Sequence, residues 1–314
     1  MTLLKGRTFI VLVLLVIFFT IVKGTTFLSA STLTMVAKHV ALYGILALGM
    51  TFVIITGGID LSVGAGVTLY FSVPVIIITM LVVGCIIGAV NGLIVTKLGV
   101  APFIATLGTM YICRGFANLR SNGATFSDIK GYDGLGNTGF KILGSNIAGI
   151  PTGVYIFAVL AIISVIILKK LPFGWYVLAV GGNEKSARLS GIKADKIKII
   201  VYMISGFCAA WVGMINTAQL SAAHPASGDG WEMNAIAATV LGGTSMSGGS
   251  GTIIGTVVGA FVIGVINDGM TMCGVSEFWQ KVIRGLVIIL AVVIDQTQRN
   301  LQAKMALQAR NENK

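Results

Sequence analysis

Apolar residues in this chain come in long runs separated by short polar gaps. The runs near 8–22, 35–56, 101–117, 151–168, 199–218, 252–270 and 278–295 each approach the roughly 20 apolar residues that a helix needs to cross a hydrocarbon core about 30 Å thick. The stretch 61–96 is long enough for two shortened or tilted spans divided near Pro74. The stretch 233–244 is too short for a full crossing unless it continues into the glycine-rich turn that follows. Together these runs predict an all-α fold. It is a polytopic transmembrane helical bundle of about ten spans, forming a single domain over residues 1–314.

Composition agrees with that reading. Of the residues, 55% are hydrophobic and only 11% charged, against about 25% charged in soluble domains. The net charge of +11 raises the possibility of a nucleic-acid partner, but the basic residues lie in the gaps between apolar runs and form no single stripe. Lys169, Lys170, Lys185, Arg188, Lys193, Lys196 and Lys198 share one gap, and Arg299, Lys304, Arg310 and Lys314 lie in the tail. Membrane proteins concentrate Lys and Arg on the cytoplasmic side. Residues 169–198 therefore predict a cytoplasmic loop, with the N- and C-termini and Lys97 on the same side. The outer loops become 23–34, 118–150, 219–232 and 271–277, of which 118–150 is the longest. Lys5 and Arg7 before the run Phe9 to Val22 resemble a secretory signal, but the many later spans favour an uncleaved first helix. Cys85, Cys113, Cys208 and Cys273 show no metal-ligand spacing and predict small buried thiols without disulfides. His39 and His224 are too isolated to suggest a metal site.

Several motifs carry candidate chemistry. Asp60 lies beside a long apolar run, where a carboxylate is costly and commonly functional. It either caps a helix starting at Leu61 or belongs to a pathway formed by a broken helix. The segment Gly57 to Gly66 is faintly similar to Gly242 to Gly251, and both follow apolar runs. A phosphate loop requires GxxxxGK followed by Ser or Thr. No Gly-Lys dipeptide occurs in the chain, so ATP hydrolysis by that route belongs to another chain. Gly248 to Gly251 matches the GxSG pattern of intramembrane serine proteases, but both histidines precede Ser250 and supply no obvious base. Residues Asn183 to Gly191 predict a short capped helix. Asn183 is its N-cap, Glu184 and Arg188 lie at the ends that suit their charges, and Gly191 is its stop. Such a helix suits docking into a groove on a partner. In the outer segment, Trp231 suits an interfacial anchor. Asp229 and Glu232 either meet an external partner or cap the next helix.

Five motifs in order resemble permeases of the ribose-type branch of ATP-binding-cassette importers: TGGIDLSVG at 56–64, PFIATLGTMYICRG at 102–115, GGNEKSARLSGI at 181–192, KIKIIVY at 196–202 and AIAATVLGGTSMSGG at 235–249. The resemblance covers nearly the whole chain, although between Gly64 and Asn91 the chain is about ten residues shorter than the family pattern. It implies a multi-pass protein of the bacterial plasma membrane, surrounded by lipid. A second permease copy (as homodimer or heterodimer), a cytoplasmic ATPase carrying ATP and Mg2+, and a periplasmic or lipid-anchored sugar-binding protein are the implied partners. The permease itself is implied to hold no cofactor and to have no enzyme activity. The stretch Asn183, Glu184, Ala187, Arg188 and Gly191 is implied to couple to the ATPase. Asp60, Ser62, Thr244 and Ser247 are implied to flank the translocation pathway. The implied cargo is a monosaccharide, ribose first. A stand-alone facilitator is the alternative reading; it would need an internal ion-coupling site, and beyond Asp60, Asp268 and Glu277 the sequence offers no candidates for one.

Overall fold

A computed structural model describes residues 2–60, 73–127, 129 and 138–312 of the chain. Over these residues the protein is almost entirely helical. The helices are α1 (Thr2–Lys23), α2 (Ala30–Ile55), α3 (Val73–Lys97), α4 (Pro102–Ser121), α5 (Thr152–Lys170), α6 (Pro172–Gly182), α7 (Glu184–Leu189), α8 (Ala194–Leu220), α9 (Trp231–Leu241), α10 (Ile253–Met272) and α11 (Glu277–Glu312). Local chemistry sets several of the starts. Ser29 accepts a hydrogen bond from the Thr32 amide to cap α2, and Thr252 accepts one from Gly255 to cap α10. Proline opens α4 and α6, where its missing N–H costs nothing.

Six helices among the described residues are long and apolar enough to cross a membrane: those spanning Thr8–Thr26, Ala30–Ile55, Val73–Lys97, Thr152–Lys170, Ala194–Leu220 and Ile253–Met272. The predicted division near Pro74 falls at the start of α3, which runs unbroken to Lys97. The other half of the proposed pair, residues 61–72, lies outside the described residues. Helix α4 has the length for a span but carries Arg114 and Arg120. The apolar run 278–295 is the first half of a single 36-residue helix, α11, that continues through the tail. Helix α9 stops at Leu241 after 11 residues, so the short run near 233–244 does not extend into its glycine-rich turn.

The core is built around α2. Its side chains are buried continuously from Val40 to Ile55, as expected of a helix that is apolar all round. Helices α8, α10, α9 and α5 surround it. The closest seam joins α3 and α8 antiparallel. Gly84 meets Gly206, Gly88 meets Tyr202, and a Cβ on Gly92 would stand 2.7 Å from the Ile199 Cα. Within lipid, helices associate by close van der Waals contact at small residues more than by the hydrophobic effect, and this four-residue glycine spacing provides it. Helices α1, α3 and α5 turn Phe9, Leu14, Ile78, Ile86 and Ile162 outward, as lipid-facing helices do.

The bundle has two distinct ends. At one, Lys97 at the close of α3 pairs with Asp195 at the start of α8, at 2.8 Å. The C-terminus of α2 and the loop after α9 lie at this end, through the contact of Gly249 with Ile55. At the other end, Phe126 bridges to Ala223. Asn146–Ile147 pairs with Ile150–Pro151 in a two-strand hairpin. The 3-10 segment Thr138–Gly144 places Phe140 in a small apolar cluster with Ile76, Met80 and Met214.

Candidate functional site

Helix α7 follows α6 with only Asn183 between them. The Asn183 Oδ1 accepts a 3.0 Å hydrogen bond from the Ser186 amide, so the predicted N-cap is formed. Gly191 closes the helix at φ +85°, donating to the Arg188 carbonyl. That left-handed conformation suits a residue without Cβ. Ala187 is the one side chain of α7 that is buried. The charged residues latch α7 to the start of α8. Glu184 accepts from Arg188 at 2.7 Å and from Lys198 at 2.6 Å, and Arg188 also pairs with Asp195. The Lys198 ammonium first, and the Arg188 guanidinium after it, hold the Glu184 carboxyl below the usual carboxylate range, against the opposing effect of partial burial. The outer face of α7 ends in Leu189, which is 90% exposed. Sequence reasoning passed over this leucine because one apolar residue among polar neighbours has no periodic signature.

The C-terminal end of α6 meets the rest of the bundle through backbone. Gly249 donates to the Ile55 carbonyl at 2.8 Å. A Cβ on Gly181 would be built onto that same carbonyl and stand 2.6 Å from the Gly249 nitrogen. One on Gly249 would lie 2.7 Å from the Gly182 Cα, and one on Gly248 would lie 2.8 Å from the Gly181 carbonyl oxygen and 3.2 Å from the Gly57 nitrogen. Gly248 and Gly249 also hold φ of +83° and +75°. Three segments, 55–57, 181–182 and 248–249, thus cross with no side chain between them. The faint similarity between the stretches beginning at Gly57 and Gly242 therefore corresponds to direct contact, not merely to turns at the same end.

Beyond this junction the chain turns back into the bundle at Asp60, which is 1% exposed. The Asn91 amide of α3 donates to Asp60 Oδ1 at 3.5 Å, and Thr109 of α4 donates to Asn91 Oδ1 at 2.7 Å. Thr106 and Tyr202 donate to the neighbouring Ile59 carbonyl at 3.3 and 3.5 Å. The helix that Asp60 was expected to cap, and Ser62 with it, lie outside the described residues. Thr244 is fully buried against Gly251, with its amide bonded to the Thr239 carbonyl, whereas Ser247 is exposed. Asp60 and Thr244 are joined through the glycine junction, each a few residues from it.

At the opposite end, Asp229 pairs with Arg114 of α4, and α9 starts at Gly230 with no side-chain cap. Asp229 therefore does not cap α9, whereas the Glu232 carboxyl draws on the backbone N–H groups of Glu232 and Gly230 at the helix start. Asp229 is occupied by Arg114, and Glu232 sits one residue inside the helix and is buried. Trp231 packs edge-on to Tyr43 at 6.0 Å. His39 Nδ1 lies 2.6 Å from Asp268 Oδ1, and His224 accepts from the Ala226 amide. All four cysteines are free, but only Cys208 is buried and the others are half-buried, a correction to the expectation of buried thiols.

The arrangement is that of a multi-pass membrane permease: a bundle with apolar outer faces, a buried carboxylate just past the end of its central helix and a short capped helix at one end. The family profile described as branched-chain amino acid transport system / permease component matches residues 32–292. The chain belongs to this family of permease components. It is 42% identical to the ribose import permease protein of Bacillus subtilis, over 93% of this chain and 92% of that protein. It is 39% identical to the ribose import permease protein of Escherichia coli K12, over 87% and 88%. The galactose/methyl galactoside import permease protein of Haemophilus influenzae is 35% identical over 93% of this chain and 94% of that protein. No solved structure matches the chain. The resemblance read from the five motifs thus extends along the chain.

Proposed function

We propose that this chain is the membrane-spanning subunit of an ATP-binding-cassette importer that carries a monosaccharide, ribose or a related sugar, across the bacterial plasma membrane. The observation that carries the coupling half of this reading is α7: a capped helix latched by Glu184, Arg188 and Lys198, presenting Leu189 to whatever lies beneath it. The sugar half is supported by the import permeases at 35–42% identity.

The working unit is a dimer with a second permease copy, identical or related, served by two ATPase sites on separate subunits. A sugar-binding protein delivers the cargo at the end where Trp231 and His39 lie. The bundle has about ten spans per subunit, counting α4, the short α9, α11 and the stretch before α3 with the six apolar helices, and both termini are cytoplasmic. ATP binding closes the ATPase pair and draws the two α7 helices together. Asn183, Glu184, Ala187, Arg188 and Gly191 give that helix its cap, latch, packing and stop. Its displacement passes through α6 and Gly181 to the Ile55–Asp60 segment and to Thr244–Gly251. With Ser62 and Ser247, Asp60 and Thr244 flank the path, and their shift alternates access between the two sides. The path binds sugar weakly, because cargo held tightly leaves slowly.

The test is co-purification of the complex. The chain should bring down its ATPase from solubilised membranes, and the Leu189→Ser variant should lose it while still reaching the membrane in normal amount. Retention of the ATPase by Leu189→Ser, together with a variant lacking Glu184 to Ser190, contradicts the assignment of α7.

A further inference from the structure

The end of the bundle away from α7 holds a group of polar side chains that the coupling mechanism does not use. His39 lies 16 residues before Ile55 on α2, about 24 Å along the helix at 1.5 Å per residue. Its Nδ1 is 2.6 Å from Asp268 Oδ1 of α10. Asp268 is 4% exposed, and its second oxygen has no hydrogen-bond partner among the described residues. Asn267, 7% exposed, lies beside the Tyr43 hydroxyl, yet neither its amide nitrogen nor its amide oxygen has a well-formed hydrogen bond. Buried polar groups in folded proteins are nearly always bonded. Asn267 and Asp268, adjacent on α10, carry three exceptions between them.

The chemistry of the unsatisfied atoms selects a ligand class. They comprise an amide donor, an amide acceptor and a carboxylate acceptor. A hydroxyl both donates and accepts, so neighbouring hydroxyls on one ring satisfy this set. An anion would meet the buried Asp268 carboxylate at close range, with the neutral Asn267 amide in return and the Arg284 cation acting on Tyr43 only through space. A metal ion would find too few ligands, and no group of three or more His, Cys, Asp or Glu suited to one occurs among the described residues. Aromatic walls complete the set. Tyr43 stacks with His39 at 6.2 Å and meets Trp231 edge-on at 6.0 Å, giving flat apolar surface of the kind that small-molecule sites combine with a few placed polar groups. The His39 side chain is 40% exposed and leads from the surface to Asp268.

We propose that Asn267 and Asp268, with His39, Tyr43 and Trp231 around them, form a weak binding site for an uncharged polyhydroxylated ring, a monosaccharide, at the end of the permease where cargo arrives. Only the direction of arrival rests on the importer reading; the ligand class follows from the side chains. The site is a staging point between the delivering protein and the path near Asp60.

The test uses the full chain in lipid nanodiscs with Trp175, Trp211 and Trp279 replaced by Phe, so that Trp231 is the sole indole. D-Ribose, D-xylose and D-galactose are titrated against its fluorescence, with inorganic phosphate as the anionic control. The expected result is a saturable response to at least one sugar and none to phosphate. Asn267→Leu should weaken the response by about tenfold or more. If that variant does not accumulate, Asp268→Asn, which keeps the size of the side chain, should weaken it in the same direction. No saturable response to any of the three sugars, or unchanged affinity in a folded variant, overturns the site. Ribose uptake by the complete transporter with no Trp231 response overturns the site and leaves the importer reading intact. A saturable response with no ATP-dependent uptake of any sugar does the reverse.

Discussion

At the residue scale, the two clearest assignments are a buried carboxylate and an exposed leucine. Asp60 is held by Asn91, which is held in turn by Thr109. Asn91→Ala removes a donor from a buried carboxylate, and leaving such a group short of partners costs about 1–3 kcal/mol. That variant should show a lower unfolding temperature in detergent, while Asn118→Ala, on the exposed part of α4, should not. Leu189→Ser should alter stability by no more than about 0.5 kcal/mol, as surface changes usually do, yet abolish sugar-dependent ATP use by the complex. The cap at Asn183 was legible in the sequence because capping is decided within four residues. The partners of Asp60 were not, since Asn91 and Thr109 come from other helices and only packing brings them to it. Leu189 was missed because exposure is a property of the fold.

Also at this scale, the latch on α7 has a defined pH behaviour. The Glu184 carboxyl is held below its ordinary range by Lys198 and then Arg188. A group whose pKa is depressed on folding stabilises the folded state above its unfolded pKa, and that stabilisation is lost as pH falls through the depressed value. The latch therefore remains closed at neutral pH and loosens only below about pH 4, the ordinary carboxylate range. Proteolysis within residues 183–193 of the detergent-solubilised protein, using an acid-active protease, should accelerate below that point. Glu184→Gln should reduce the acid-dependent rise, leaving the part that protonation of Asp195, the other carboxylate paired with Arg188, contributes.

At the scale of elements, glycines decide how closely segments approach. Gly181 sits where a Cβ has no space, against the Ile55 carbonyl and the Gly249 nitrogen, whereas Gly182 has open space around its Cβ position. Gly181→Ala should therefore separate α6 from the 248–249 loop and reduce uptake at least tenfold per ATP hydrolysed, or prevent folding. Gly182→Ala should leave both near wild type. The same contrast is available on the membrane helices. Gly88, packed on the Tyr202 backbone, should not tolerate Ala, and Gly108, with nothing near it, should. Six apolar helices among the described residues were legible from the apolar runs. The runs 101–117 and 278–295, by contrast, belong to helices too polar for that class. The run 233–244, counted as a doubtful span, is the 11-residue α9. What hydropathy did not reveal was that the end of α2, the end of α6 and the loop after α9 meet. A glycine-rich turn reads the same whether it lies free at a surface or packed against two others.

At the scale of the molecule, the bundle places its charged latch and its aromatic, polar cluster at opposite ends, with α2 running between them. A stimulus on α7 thus has a continuous backbone route to the interior at Asp60 and Thr244, as alternating access driven by a partner requires. The whole-molecule class was legible early, because charge depletion and repeated apolar runs are global properties.

The central claim is tested most directly by monosaccharide uptake into proteoliposomes containing this chain, with its ATPase, its sugar-binding protein and ATP present together or omitted one at a time. The account predicts accumulation of ribose or a related sugar only when all components are present. Saturable uptake by the chain alone, unaffected by ATP, would contradict it and make the protein a facilitator.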